Sequence, residues 1–506
     1  MTGLKLNYKR TVLVGFAFFL IMAFWTAYDA IVPLILTNHY GLPQVVSGVV
    51  MSADNILAVF LLPIFGAISD KVMTRLGKRT PFILVGTVAA VISFVALMLI
   101  DAAQINALAE TNIPATYSSV MGELNEATKA LNSAYDTGSQ VLIDAASARV
   151  DALEDMLEVL REQTLDITLS NIFPLIGFIG VLLVVLIAMS IFRSPAVALM
   201  PDITVKPLRS KGNAIINLMG TAGAVIVLAF GMVFGTDSNH HMKYIGYIMA
   251  VSGVMIAALI VFFLTVKENK WAEDMRRNTE KYKIDETSYQ DKMSGERKLS
   301  SAEKKSLLLI LSSVALWYIG YNSITSKFSV YSTTVLRFDF NLTLIIAQVA
   351  AIIAYIPVGM LASKIGRKKS ILIGVALLTS AFLIGNFVSS TTPEPVLIPI
   401  FIVAGLGWAT INVNSFPMAV EIARGGEVGK YTGYYYTASM AAQIVAPILS
   451  GALYDLFDII TDGNGMRVVF FAFGTLFVAA SFVTMLFVKH GDIKVTKDTE
   501  IIEDYD

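Results

Sequence analysis

Two carboxylic acids lie inside stretches that are otherwise apolar. Asp29 lies in MAFWTAYDAIVPLIL, residues 22–36, and Asp54 lies in VVMSADNILAVFLLPIFG, residues 49–66. Lys327, in YNSITSKFSVYS, is a third charged group in such a stretch. A charge placed deep in a membrane costs about 3 kcal/mol on insertion scales, so it usually faces a water-filled cavity or a partner. The alternative is a static pair between Lys327 and one acid that only fixes packing.

The chemistry available to these acids is the reversible binding of a cation. A low dielectric disfavours the charged form of a carboxylate, so Asp29 or Asp54 could take up a proton on one side and release it on the other. Sodium is the alternative ion. We therefore predict that Asp29 and Asp54 couple cation movement to transport.

Aromatic and amide side chains accompany the charged groups in the apolar stretches. A sugar needs such surroundings, because its C–H faces are apolar and its hydroxyls must be hydrogen-bonded once water is removed. Taken singly, each of these side chains is more often a packing residue than a ligand. The residues predicted to bind substrate are Trp25, Tyr28, Asp29, Asn55, Tyr318, Asn322, Lys327, Trp408, Asn412, Tyr435 and Gln443.

The elements that must position these residues are apolar runs of membrane-spanning length. Of the 506 residues, 55% are hydrophobic and 15% are charged, and mean hydropathy is +0.67. A helix of about 20 apolar residues crosses a ~30 Å hydrocarbon core. Such runs fall near 11–36, 45–68, 80–101, 169–192, 213–235, 244–266, 306–331, 341–362, 371–389, 395–415, 432–456 and 467–488. The sequence predicts an all-α integral membrane protein with twelve spans.

An internal repeat divides these spans into two groups of six. FWTAYDAI resembles LWYIGYNSI, which pairs Asp29 with Asn322, and GAISDK resembles GMLASK, which pairs Gly66 with Gly359. Both pairs are 293 residues apart. We predict two pseudo-symmetric six-helix bundles, residues 1–266 and 306–490, joined by a charged cytoplasmic linker at 267–305 and followed by a tail at 491–506.

Residues 102–168 interrupt the first bundle. Their apolar side chains recur at helical spacing around DTGS at 136–139, and the segment is too polar to span a membrane. This pattern predicts an external helical hairpin between the third and fourth spans. A cap, a spacer, a partner site and an ornament without a role all remain open for it.

Lysine and arginine are concentrated before the first span and in the even-numbered connections. The positive-inside rule therefore predicts a multi-pass protein of the plasma membrane with both termini in the cytoplasm. The net charge of −1 does not suggest a nucleic-acid partner. With no cysteine, thiol catalysis and thiolate metal sites are excluded.

The connection between the second and third spans reads GAISDKVMTRLGKRTPFIL, residues 66–84. It resembles the loop 2–3 signature of the major facilitator superfamily, and DxxxTRxGKRxP is similar to the glycoside-pentoside-hexuronide cation symporters and the proton-coupled sucrose transporters. SPAVALMPDITVKPLRSKGNA, residues 194–214, is similar to the stretch between helices 4 and 5 of the sucrose transporters. The resemblance covers nearly the whole chain except 102–168.

The resemblance implies an alternating-access carrier, in which two bundles rock about a central site and cytoplasmic salt bridges close one state. Ser363 stands where an acid would match Asp70, which departs from the family pattern. Carried over to this sequence, the gate residues are Gly66, Asp70, Arg75, Gly77, Lys78, Arg79, Asp202 and Arg209 in the first half, and Gly359, Gly366, Arg367, Glu421 and Arg424 in the second.

A second departure from the family pattern bears on the coupling ion. Melibiose-type members carry two carboxylates just before a Pro-Ile-x-Gly stretch, but Ala58 and Leu62 occupy those places here. This favours proton-coupled uptake of a sugar or glycoside. Sodium-coupled symport of a sugar or hexuronide and a sugar sensor of transporter fold are the alternatives. No GxxxxGK[ST] or HExxH motif occurs, so neither an enzyme nor a cofactor is predicted.

Overall fold

The computed structural model describes residues 6–205, 209–237, 241–281, 300–421, 428–461 and 464–489. This part of the chain is built almost entirely from helices. The first half contains α1 (Tyr8–Leu34), α2 (Gln44–Lys71), α3 (Thr80–Ala109), α4 (Ile113–Thr137), α5 (Gln140–Ser170), α6 (Phe173–Ile203), α7 (Arg209–Phe234) and α8 (Ile245–Thr265). There follow α9 (Glu268–Lys281), α10 (Ser301–Thr325), α11 (Phe328–Tyr331), α12 (Phe340–Ile365), α13 (Arg367–Gly385), α14 (Glu394–Glu421), α15 (Val428–Ile460) and α16 (Gly465–Leu486).

Eleven helices in the described ranges are long and apolar enough to cross a membrane. A further apolar stretch, Phe340–Tyr355, belongs to α12 and occupies the place of the eighth predicted span. Short π-helical turns at Ile35–His39 and Ser332–Leu336 extend α1 and α11. The predicted fold class, a helical membrane protein with an extra external hairpin, is confirmed.

Helix packing separates the chain into two groups. In the first, α1 packs on α7 and α8, and α3 packs on α6; in the second, α13 packs on α14 and α10 packs on α15 and α16. Among the described residues, the most extensive packing between the groups is that of α2 with α15, α7 with α12, and α1 with α11. We call the side of the molecule that carries α4 and α5 the hairpin face, and the side that carries α9 the linker face.

Contacts between the groups concentrate at the hairpin face. The Asp455 carboxylate of α15 accepts hydrogen bonds from the backbone N–H groups of Gln44 (2.9 Å) and Val45 (2.8 Å), which begin α2. One turn on, Gly48 lies so close to α15 that a Cβ atom would stand 2.1 Å from the carbonyl oxygen of Pro447. The hairpin face is therefore the closed side of the junction between the two groups.

α3 and α6 extend furthest past the ends that their apolar runs predict. The third run predicts a span at 80–101, but α3 continues to Ala109. Polar groups beyond residue 100 are satisfied internally, since Asp101 contacts His39 Nδ1 at 2.6 Å and Gln104 Nε2 donates to the carbonyl of His39 at 3.0 Å. The fourth run was placed at 169–192, but α6 continues to Ile203 through two prolines. Residues 102–109 therefore belong to α3 and not to the hairpin.

The hairpin itself consists of α4 and α5. The two helices meet at Gly138, whose φ of 66° is accessible to glycine without strain. Leu124, Ala127, Leu131 and Val150 form its own small apolar core. This core explains why a segment too polar to enter the membrane still forms an ordered pair of helices.

Candidate functional site

Three of the predicted residues lie within one turn of α1. The ring of Trp25 contacts the ring of Tyr28 edge-on, with centroids 5.4 Å apart. The hydroxyl of Tyr28 and the indole N–H of Trp25 are buried without a hydrogen-bond partner. The Asp29 side chain is accessible to solvent, although many protein atoms surround it. This combination is expected for a group that lines an internal chamber. The Tyr28 hydroxyl and the Trp25 indole N–H can therefore still form hydrogen bonds, and they lie beside the Asp29 carboxylate.

Asp54 of α2 and Arg193 of α6 complete a charged cluster around Asp29. The Asp54 carboxylate accepts a hydrogen bond from the side-chain amide of Asn55 at 2.7 Å. Arg193 interacts electrostatically with both acids, and with Asp54 more strongly than with Asp29. Its guanidinium carbon lies 5.3 Å from the centroid of the Trp25 ring, within cation–π range. No ion pair within 4 Å joins Arg193 to either acid in the described structure.

Arg193 was not among the predicted site residues. The predicted fourth span ended at residue 192, which left Arg193 one residue outside it. In the structure α6 continues to Ile203, so the guanidinium lies within the helix and beside α1 and α2. The sequence gives no local signal for this, because the prolines at 195 and 201 normally kink or end a helix.

A second cluster, which contains the predicted residues Tyr318, Trp408 and Tyr435, forms in the other helix group. Trp408 of α14 stacks on Tyr321 of α10 with ring centroids 3.6 Å apart, and it contacts Tyr318 edge-on at 5.6 Å. The hydroxyl of Tyr435, from α15, lies 2.8 Å from the hydroxyl oxygen of Ser415 and also hydrogen-bonds Tyr318. Aromatic faces and hydroxyls from three helices thus meet in one place.

The two clusters face each other across the junction between the helix groups. Asp29 of α1 interacts electrostatically with Tyr321 of α10. Arg193 of α6 interacts in the same way with Tyr436 of α15, whose side chain is half exposed. Charged groups thus lie on one side of the junction, and stacked aromatic rings lie on the other.

Three predicted amide residues use their side chains for hydrogen bonds within the protein. Asn322 and Gln443 each donate to a carbonyl of the preceding turn of their own helix, at Tyr318 (2.8 Å) and Ser439 (3.2 Å). Asn412 is exposed and hydrogen-bonds Tyr355, which the sequence analysis did not include. Their roles as substrate ligands remain predictions.

Lys327 lies apart from the charged cluster. It occupies the break between α10 and α11, is fully buried, and its ammonium group has no hydrogen-bond partner. The acid with which it interacts is Asp455, at the hairpin face. No ion pair between Lys327 and Asp29 or Asp54 occurs among the residues that the structure describes. The static pair considered for the sequence is therefore absent from this conformation.

At the linker face, Arg79 holds together the predicted gate of the first half. Its guanidinium donates to the carboxylates of Asp202 (2.8 Å) and Asp70, and to the hydroxyl of Ser69. The Arg79 side chain is almost fully buried. This network links the ends of α2, α3 and α6, so it fixes the linker face of the first helix group.

Glu268, the first residue of α9, was missed by the sequence analysis. Its carboxylate accepts hydrogen bonds from the backbone N–H groups of Lys78 (2.7 Å), Arg79 (2.9 Å) and Thr80 (2.9 Å), where α3 begins. A carboxylate there satisfies unpaired donors and complements the helix dipole. The start of the predicted linker is therefore docked on the first helix group, whereas residues 282–299 lie outside the described residues.

The other predicted gate residues are placed as follows. Arg75 and Lys78 form no ion pair in the described part of the chain. Gly66 lies against Ser194, Gly359 lies within α12, Gly366 precedes α13 with a φ of 91°, and Arg367 begins α13. Arg209 and Glu421 lie at helix ends with side chains outside the description, and Arg424 lies outside the described residues.

Replacing Gly77 with alanine is expected to destabilise the protein by roughly 2 kcal/mol or more, because two costs combine. Gly77 has a φ of 125°, and its Cβ would stand 2.2 Å from the carboxyl carbon of Glu268. Thermal unfolding of the purified protein in detergent measures the effect. Gly180→Ala is the matched control, since no atom lies within 4 Å of its Cβ position in α6. Equal unfolding temperatures for both variants would contradict this account of the loop.

Comparison with known families gives a clear result. The family model described as Major Facilitator Superfamily matches residues 167–352 and 339–501, and the model described as MFS/sugar transport protein matches residues 13–105. A search of curated proteins found no match.

Solved structures share the fold at low sequence identity. The inward-open xylose transporter XylE from E. coli has a TM-score of 0.60 at 14% identity, covering 99% of this chain and 100% of that one. A D-xylose-proton symporter has a TM-score of 0.58 at 14% identity, covering 96% and 99%. A POT family transporter in complex with a thioalcohol-conjugated peptide has a TM-score of 0.61 at 10% identity, covering 95% and 96%. Because the first family model covers more than half of the chain, the protein belongs to the Major Facilitator Superfamily.

Proposed function

We propose that this transporter moves a sugar or glycoside by alternating access and couples that movement to a proton. The observation that carries the proposal is the pair of clusters that face each other across the junction between the helix groups. Asp29, Asp54 and Arg193 lie on one side, and Tyr321 and Trp408 lie on the other. We propose that they line a chamber, and that the predicted residues of these two clusters contact the substrate together with Arg193 and Tyr321.

Charge balance explains why a proton would bind before the transporter closes. With both acids ionised, Asp29 and Asp54 carry two negative charges and Arg193 carries one positive charge, so the cluster has one negative charge in excess. Closing both ends of the chamber around an unbalanced charge costs several kcal/mol. One bound proton neutralises the cluster. The loaded transporter can then pass through the closed state, and the proton leaves when the chamber opens to the other side.

The aromatic wall supplies the other half of substrate recognition. The stacked rings of Tyr321 and Trp408 offer an apolar surface of the size of a sugar ring, and the unpartnered groups of Trp25 and Tyr28 offer hydrogen-bond donors. A solute with one apolar face and a set of hydroxyls satisfies both walls. A purely apolar solute would leave the donors unpaired.

The moving units are proposed to be the two bundles of the sequence analysis, residues 1–266 and 306–490. The linker face is proposed to be cytoplasmic, because the loop between α2 and α3 carries Arg75, Lys78 and Arg79. In this orientation, both termini lie in the cytoplasm of a cell whose plasma membrane the protein spans.

Uptake by the purified protein in lipid vesicles tests the proposal. A panel of sugars and glycosides is offered under a pH gradient and, separately, under a sodium gradient. We expect accumulation driven by the pH gradient and abolished by a protonophore. Accumulation under the sodium gradient alone would support the sodium-coupled alternative. Sugar binding without movement under either gradient would support a sensor.

A further inference from the structure

The hairpin of α4 and α5 contacts both helix groups at the hairpin face. Its attachment to the first group runs through α3 and the end of α1. The side-chain amide of Gln104 donates to the hydroxyl of Thr168 at 3.0 Å. Gly41 approaches the backbone of α5 so closely that a Cβ would stand 2.6 Å from the nitrogen of Leu165. The hairpin is therefore fixed to the first group by covalent connection and by close packing.

Among the described residues, the hydrogen bonds that join the hairpin to the second group are those of Arg337; Arg467 and Asp458 add electrostatic interactions with Glu154 and Arg161. Arg337 follows the π-helical turn after α11 and precedes α12. Its guanidinium donates to the carboxylate of Glu154 in α5 at 2.8 Å and to the hydroxyl of Thr128 in α4. The Arg337 side chain is 7% exposed and that of Glu154 is 36% exposed. A partly buried, charge-assisted contact thus crosses from one helix group to the hairpin of the other.

The backbone of Arg337 ends the helical segment that precedes it. Arg337 is the one non-glycine residue with positive φ among the described residues, at 61°. Its backbone N–H and that of Phe338 both donate to the carbonyl of Ser332, which is the hydrogen bonding of a left-handed helix C-cap. The position of the Arg337 side chain is therefore set by a turn with its own backbone hydrogen bonds.

A cavity of about 320 Å³ lies beneath the hairpin. The first group contributes Thr37 and Gln44 to its lining, the hairpin contributes Glu154 and Glu158, and the second group contributes Asp458 and Arg467. The hairpin thus lies across the junction between the two helix groups, over this cavity.

We propose that the α4–α5 hairpin is a strap that holds the hairpin face closed, and that the contact of Arg337 with Glu154 must break before this face opens. The proposal rests on alternating access, because only separation of the two groups at this face strains the strap. It does not depend on the substrate or on the coupling ion.

Cysteine accessibility at the closed junction tests the strap. The protein has no native cysteine, and Ser47 is fully buried at the start of α2, which packs on α15. Ser47→Cys is reacted with a membrane-impermeant maleimide applied to the hairpin face of the full-length protein. With Arg337→Ala or Glu154→Gln added, we expect labelling roughly fivefold faster, the effect of losing one partly exposed ion pair. The double variant should label no faster than the faster single one.

Two further variants make every outcome decisive. Arg149→Ala removes an exposed pair with Glu123 inside the hairpin, at 3.6 Å, and should leave labelling unchanged. Asp455→Asn weakens the direct contact of α15 with α2 and should accelerate labelling independently of the strap. Faster labelling with Asp455→Asn but not with Glu154→Gln would overturn the strap and leave alternating access intact. Background labelling in all variants would contradict alternating access as well.

Discussion

Replacing Asp29 with asparagine is expected to abolish proton-driven accumulation while leaving exchange of substrate across the membrane. Asparagine keeps the shape of the side chain but cannot carry a proton, and it makes the cluster with Asp54 and Arg193 permanently neutral. A pH difference of one unit supports at most about tenfold accumulation per proton. The variant should therefore reach only equal concentrations on both sides, a ratio of about 1, measured by vesicle uptake and counterflow.

Asp54→Asn should have a broader effect. Asp54 interacts with Arg193 more strongly than Asp29 does, and it accepts the hydrogen bond of Asn55. Its loss leaves Arg193 without its main counter-charge, so exchange should fall together with accumulation. Asp144→Asn, at an exposed position in the hairpin, is the matched control and should transport normally. Normal accumulation by both Asp29→Asn and Asp54→Asn would refute the coupling proposal.

Arg193→Gln is expected to lower the initial rate of uptake by roughly 100-fold. Two acids would then share the chamber without a counter-charge, and leaving a buried charge uncompensated costs about 3 kcal/mol. Arg193→Lys keeps the positive charge but loses the planar group above Trp25, so it should retain part of the rate. Initial rates under an imposed pH gradient, normalised to inserted protein, measure both.

A second substitution separates charge balance from misfolding. Combining Arg193→Gln with Asp54→Asn lowers the excess from two negative charges to one, the same as in the wild-type cluster, so the double variant should exchange substrate faster than Arg193→Gln alone. Wild-type rates in the single variant would show that Arg193 has no part in transport. A double variant slower than either single variant would indicate separate roles for the two residues.

Several features of this protein were available from local sequence. Apolar runs of membrane-spanning length predict helices because the backbone must satisfy its own hydrogen bonds in lipid. The hairpin was recognisable from its helical spacing and its turn, and the structure confirms it. Asp29, Asp54, Trp25 and Tyr28 stood out because charged and aromatic groups are conspicuous in apolar stretches. Trp25, Tyr28 and Asp29 lie close together because they share about one turn of α1, and Asp54 joins them through the packing of neighbouring helices. The roles of these residues remain predictions.

Other features depend on residues far apart in the chain. Glu268 binds a helix start nearly two hundred residues earlier, and Arg337 binds a hairpin that precedes it by a similar distance. Neither residue is unusual in its own segment. Glu268 is a charged residue in a polar linker, and Arg337 is a charged residue in a loop. A sequence pattern reports local preference, whereas these contacts form only when helices from different parts of the chain are brought together.

The sequence by itself determined that this chain crosses a membrane repeatedly, that it carries an external hairpin, and that acids and aromatic rings lie inside its spans. Those properties depend on the length, polarity and period of single segments. Tertiary structure alone decided that α6 continues past Arg193 and adds a positive charge to the two acids. It also decided that Lys327 lies beside Asp455 instead of the acids of the first half. The physical reason is that the partner of a buried charge is chosen by helix packing, which no single segment encodes.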